Sequence, residues 1–198
     1  SFDVKLELPG RVDSAASRVV ATAKLPLLHA PLQSPLGNLV ADAWRNALRT
    51  DIAVVADSEL RTDLPAGPLS FGALREFIGA YGTLERRTWT GAALRQFLED
   101  ALAADGRPHI HLSGLVVTYD PTGTPGRRVK DVRLLDGSKP RDKSTYWVAT
   151  SAAVPAARGQ AVAPDDAPVT ALHAIITYFG ALPQPIEAPE QPRFVVKR

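Results

Sequence analysis

Few residues in this chain are spaced for chemistry. His109-Ile-His111 places two imidazoles on one face of an extended segment, an arrangement that suits a metal ion. No third ligand can be named beside them, and the plainer reading is a pair of exposed or half-exposed histidines at a strand entrance. His173 falls next to the apolar face of an expected helix and reads as a packing residue. Ser113 and Ser151 have no histidine positioned by a motif, so there is no case for a serine nucleophile. Arg61 with Asp63 reads either as an anion site or as an ion pair that holds a loop. Cysteine is absent, which removes thiol nucleophiles, disulfides and Cys-based metal sites together.

Seven cations, Arg127, Arg128, Lys130, Arg133, Lys139, Arg141 and Lys143, crowd one stretch, with Asp131, Asp136 and Asp142 among them. A solvated face is the default reading, and docking onto an acidic partner the sharper one. The net charge of +2 gives no strong drive toward nucleic acid or an anionic membrane. No apolar stretch approaches the ~18 residues of a membrane span. The 198 residues, 45% of them hydrophobic, suit one globular domain with a sizeable core. Methionine is also absent, so the chain does not open at a translation start; either a signal peptide has been removed or the segment has been trimmed.

The elements that must position these residues follow from periodicity. Phe2, Val4, Leu6 and Leu8 alternate with polar residues and predict a strand, and residues 18–25 a second. Ser34-Pro35 opens a helix whose apolar face carries Leu36, Leu39, Val40, Ala43, Trp44 and Leu48. Asp51 to Ala56 is a short buried strand. Ser70 opens a brief helix over Leu74, Phe77 and Ile78, and residues 84–89 form a strand. Thr90 caps a helix carrying Leu94, Phe97, Leu98 and Leu102. Leu115 to Tyr119 is a strand, and Val129 to Leu135, a turn at Asp136-Gly137 and Tyr146 to Thr150 predict a hairpin. Asp165 or Asp166 caps a last helix with Pro168 early in it, and Arg193 to Val196 closes as a strand. Strands and helices mix without a strict βαβ rhythm, which favours α+β or a layered α/β arrangement.

Four blocks carry a family resemblance. They are Gln33-Ser-Pro-Leu-Gly-Asn-Leu-Val-Ala-Asp-Ala43, Ala53 to Gly67, Leu112-Ser-Gly-Leu-Val-Val-Thr-Tyr-Asp-Pro121, and Gly137-Ser-Lys-Pro140 followed by Tyr146-Trp-Val-Ala-Thr150. In this order they resemble the C-terminal, substrate-recognition domain of the bacterial 5′-nucleotidase/UDP-sugar hydrolase family. The resemblance implies an α+β fold, layered α/β/β/α, with mixed sheets and flanking helices over residues 19–198. Residues 1–18 then form an N-terminal extension with an added strand.

In that family a separate metallophosphatase domain supplies two metals and the catalytic residues, whereas the C-terminal domain supplies recognition. Such a centre needs roughly seven or eight His, Asp and Asn ligands plus a His-Asp pair. This chain has four histidines and no Asp-x-His or Gly-Asn-His-Glu segment, so no catalytic residue, metal or cofactor is expected. Recognition is altered as well. The family's N-S-G-G-I-R loop reads Ala56-Asp-Ser-Glu-Leu-Arg61: the arginine is kept, but the glycine pair is Ser58-Glu59, whose carboxylate would repel a phosphate. Two further phosphate-binding arginines align with Pro26 and Ala30. A stacking ring aligns with Ala80 and an Asn with Gly82, with Tyr81 one position away; the second ring aligns with Ala153 and a sugar-binding Asp with Gly159. At about 1–3 kcal/mol per stacked ring and about 1.5–3 per charged hydrogen bond, these losses remove most of a micromolar affinity.

The expectation is a non-catalytic, degenerate recognition domain, binding nucleotide weakly or not at all, with a protein partner and an extracytoplasmic location. One alternative is the recognition part of a metal-dependent phosphoesterase whose catalytic domain lies on a missing segment or partner chain, with Arg61, Tyr81 and Arg158 as remnant substrate contacts. Another is a solitary binder of a non-nucleotide small molecule.

Overall fold

A computed structural model describes residues 15–29, 34–78, 82–102, 104–154, 160–162 and 168–197. The strand expected over Phe2 to Leu8 lies outside them.

The chain centre is β2 (Ile52–Ala56). Its apolar run is unbroken because both of its faces are covered: Ile52 and Val54 point into one core, Ala53 and Val55 into another. It lies in a five-stranded sheet ordered β5 (Ile110–Ser113), β2, β8 (Thr145–Thr150), β4 (Glu85–Thr90), β9 (Gln160–Val162). The sheet is mixed: β2 runs parallel to β8 and antiparallel to β5.

On one face lie α1 (Pro35–Ala47), α2 (Phe71–Phe77) and α4 (Ala171–Ala181), with the antiparallel pair β1 (Val19–Ala23) and β3 (Gly67–Ser70). On the other lies a three-stranded sheet ordered β10 (Phe194–Val196), β6 (Leu115–Tyr119), β7 (Val129–Leu134). The remaining helix, α3 (Gly91–Ala101), touches both β4 and β7. The fold is α+β, with mixed sheets and flanking helices, as expected.

Local signals set the helix starts. Ser34 Oγ accepts from the Gly37 N–H at 2.8 Å, Ser70 Oγ from Ala73 at 3.2 Å and Thr90 Oγ1 from Ala93 at 3.1 Å. Helix α4 departs from expectation: Thr170 caps it, through the His173 N–H, and Pro168 precedes it.

The expected hairpin is not formed. β7 pairs with β6, and β8 inserts between β2 and β4. Val148, Ala149 and Thr150 are buried, which suits a central strand and not the outer arm of a hairpin. Part of the basic stretch around it is engaged within the fold. Arg133 and Lys139 both bond Asp131 at 2.7 Å and hold its carboxyl down at about 2. Arg128 is buried, its guanidinium donating to the Leu102 and Gly123 carbonyls.

Candidate functional site

The antiparallel register of β2 and β5 sets Val55 opposite His111. Paired residues share a face of the sheet. Val55 faces the core under α1, so His111 does too, and its imidazole is 1% exposed. There it lies against the first turn of α1, at Gly37.

Asp57 follows β2 at the start of a 3₁₀ turn (Asp57–Glu59), its N–H bonded to the His109 carbonyl at 3.0 Å. Its Oδ1 accepts from His111 Nε2 at 3.1 Å and from His29 Nε2 at 2.9 Å. His29 arrives from the segment after β1. That segment is pinned by two backbone hydrogen bonds between Leu27 and Leu64, of 2.9 and 3.0 Å, and by the His29 N–H to Asp63 Oδ1 at 2.6 Å.

Burial pushes the His111 imidazole down to about 4, with the His29 ring adding to the effect and the Asp57 carboxylate opposing it. His111 is therefore neutral near pH 7. Its Nδ1 is buried with no hydrogen-bond partner among the described residues.

The two histidines that sequence spacing pairs are thus separated. His111 is buried, against expectation, because the sheet register turns it under α1. His109 lies outside the strand, is exposed, and bonds Asp105 at 3.1 Å. His173 is exposed as well and is not a packing residue. His29 and Asp57 carried no signal in the sequence. They lie 28 residues apart, and His111 lies 54 beyond Asp57, so only the fold brings the three together.

Arg61 is exposed on the loop after the 3₁₀ turn, with its N–H bonded to the Phe77 carbonyl at 2.9 Å. Tyr81 and Arg158 lie outside the described residues. Glu59 does not face a ligand. It is buried, and its carboxylate folds back onto the Ala56 N–H at 3.0 Å. Burial raises its pKa, with hydrogen bonds from Ser151 and Ala56 pulling the other way. Pro26, Gly82 and Ala153 are exposed.

Ser113 carries a structural bond network. Its Oγ donates to Asp42 Oδ1 at 2.5 Å and accepts from Arg45 Nε at 2.8 Å, while Arg193 reaches Asp42 at 3.4 Å. An open cleft of about 400 Å³ between Arg45, Asp51, Asp136 and Tyr146 lies at the opposite end of β2 from Asp57 and contains neither Arg61 nor the His-Asp cluster. No helix among the described residues is long and apolar enough to cross a membrane.

Residues 19–160 match the family model described as 5′-nucleotidase, C-terminal domain. The chain is 28% identical over 161 residues to Endonuclease YhcR of Bacillus subtilis (strain 168), a match that covers 77% of this chain and 13% of that protein. Its structure resembles the 5′-nucleotidase precursor from Thermus thermophilus, with a TM-score of 0.81 at 23% identity over 92% of this chain and 40% of that one. It also resembles the NAD nucleotidase NadN of Haemophilus influenzae, with a TM-score of 0.77 at 19% identity over 94% of this chain and 39% of that one. At these identities the structural likeness shows the fold. The chain spans well under half the length of each of these relatives.

Proposed function

The chain belongs to the 5′-nucleotidase C-terminal domain family, and on that premise we propose that it is a non-catalytic module with a degraded nucleotide site, a binding or structural component of an exported assembly. The observation that carries this reading is chemical. The positions that the resemblance assigns to an arginine, an asparagine and a stacking ring are occupied by exposed Pro26, Gly82 and Ala153, which offer neither a cation nor a ring to a nucleotide. Arg61 remains as a single exposed cation of that set, too little for a nucleotide phosphate and a base together.

The assembly is taken to be exported because the family resemblance points that way and because the Thermus relative is described as a precursor. A protein partner is the expected ligand class. The match to the Bacillus endonuclease covers 13% of that protein, and nuclease activity forms no part of the proposal.

The test is calorimetric titration of the whole chain with adenosine 5′-monophosphate and, separately, uridine diphosphate glucose. Binding no tighter than millimolar is expected for both. A micromolar Kd for either would overturn the reading, and would make the domain the substrate-recognition part of a phosphohydrolase using Arg61, Tyr81 and Arg158.

A further inference from the structure

We propose that His29, Asp57 and His111 form a binding site for a divalent transition-metal ion of the zinc class, held by two imidazole Nε2 atoms and one carboxylate oxygen with a coordination position left open. Among the described residues this is the one group of three such side chains whose ligand atoms all lie within 4.8 Å of one another. Two of the three separations are 2.9 and 3.1 Å. Around an ion with bonds of about 2.0–2.2 Å, tetrahedral ligands stand about 3.3–3.6 Å apart. Those two separations need to open by only a fraction of an ångström, and the third lies within 4.8 Å.

The donor set selects the ion. Two imidazoles and one carboxylate suit zinc, iron, nickel or copper and suit calcium and magnesium poorly, since those prefer oxygen shells. Glu59 is turned away onto the Ala56 N–H and adds no second carboxylate. The entry path is open on one side, because the His29 and Asp57 side chains are 18% and 24% exposed.

A histidine ligates through an unprotonated ring nitrogen. Binding moves the ring proton from Nε2 to Nδ1. Nδ1 of His111 is buried with no hydrogen-bond partner among the described residues, so the proton it takes up finds no acceptor there, a cost that the metal bond must exceed. The frame is firm: His111 is fixed between β2 and α1, the Asp57 N–H is tied to His109, and the His29 N–H to Asp63.

The experiment uses the whole chain, stripped with a chelator and dialysed, then titrated with Zn²⁺ by calorimetry and with Co²⁺ by visible absorption. A single equivalent with a Kd of about micromolar or tighter is expected, with the ligand-field bands of a low-coordinate Co²⁺ site. His29→Ala and Asp57→Ala should each weaken binding about tenfold or more, with the circular dichroism of the parent. His109→Ala, at an exposed residue outside the cluster, should bind as the parent does. Millimolar binding, equal binding by all variants, or a loss confined to His109→Ala would overturn the site. Where a variant fails to fold, histidine ¹⁵N resonances of the parent decide: Zn²⁺ must shift the Nε2 signals of His29 and His111 and leave those of His109 and His173, and the reverse pattern overturns it.

Discussion

A Cβ built on Gly37 lies 2.2 Å from Cγ of His111 and 2.3 Å from its Nδ1. The first turn of α1 and the imidazole on β5 therefore occupy one space, and only glycine lets both be there. Helix propensity alone would make Gly37→Ala stabilising by up to about 1 kcal/mol. Overpacking against a ring that cannot move away should cost about 1–3 kcal/mol. The second effect should win, because His111 is held between β2 and α1. In a His111→Ala background the clash disappears, and Gly37→Ala should become neutral or mildly stabilising. Urea denaturation of the four proteins reads both signs. A Gly37→Ala single variant more stable than the parent would mean that His111 does not sit where the fold places it.

Gly114 meets a harder obstacle. It joins β5 to β6 with φ of +88°, and a Cβ there would stand 2.0 Å from the Asp51 carbonyl oxygen. The left-handed backbone and the contact with main chain both disfavour any side chain. Gly114→Ala should lose more stability than Gly37→Ala, and no single side-chain change should restore it. Comparison of urea midpoints checks the order, and a milder loss at Gly114 would contradict the close approach.

Ser113 tests the network behind the site. Its hydroxyl joins β5 to α1 through Asp42 and Arg45, and Asp42 also meets Arg193 ahead of β10. Ser113→Ala takes the acceptor from Arg45 Nε and a donor from a carboxylate that is 14% exposed. A loss of about 1–3 kcal/mol is expected. The losses from Ser113→Ala and Arg193→Ala should not add, because both act through Asp42. Strict additivity in the double variant would separate the two contacts.

Much of this fold is legible locally. The caps at Ser34, Ser70 and Thr90, the apolar stripe of α1 and the unbroken run of β2 each follow from a few adjacent residues. What is not legible is pairing at long range. The turn at Asp136-Gly137 does form, with Gly137 at φ +79° and the Leu134 N–H on the Ser138 carbonyl. It still does not return the chain onto β7, because β8 gains more from a buried place between β2 and β4. The cluster is hidden for the same reason. His109 and His111 look paired at a spacing of two, but the true neighbours of His111 are Asp57 and His29, brought in by sheet register and by the Leu27–Leu64 clamp. Glu59 shows a third limit. Sequence reads it as a charge facing a ligand, whereas its length lets it fold back and cap the backbone behind it.

That folded-back carboxylate makes the pH dependence of stability a test of its burial. The pKa of Glu59 is raised above 4.5, chiefly by burial. A raised acid binds a proton more readily in the folded than in the unfolded chain. Its contribution to stability is thus fully present below the unfolded value of 4.5 and is lost as pH rises through the folded value. Glu59→Gln keeps an oxygen for the Ala56 N–H and removes the charge. Carboxylates such as Asp131, held at about 2, act in the opposite sense but are common to both proteins, so the difference between variant and parent isolates Glu59. That difference should move in favour of the variant as pH rises from about 4 to about 7, read from urea midpoints at each pH. A difference independent of pH would mean that Glu59 is solvated, and that the loop before Arg61 presents it to whatever binds there.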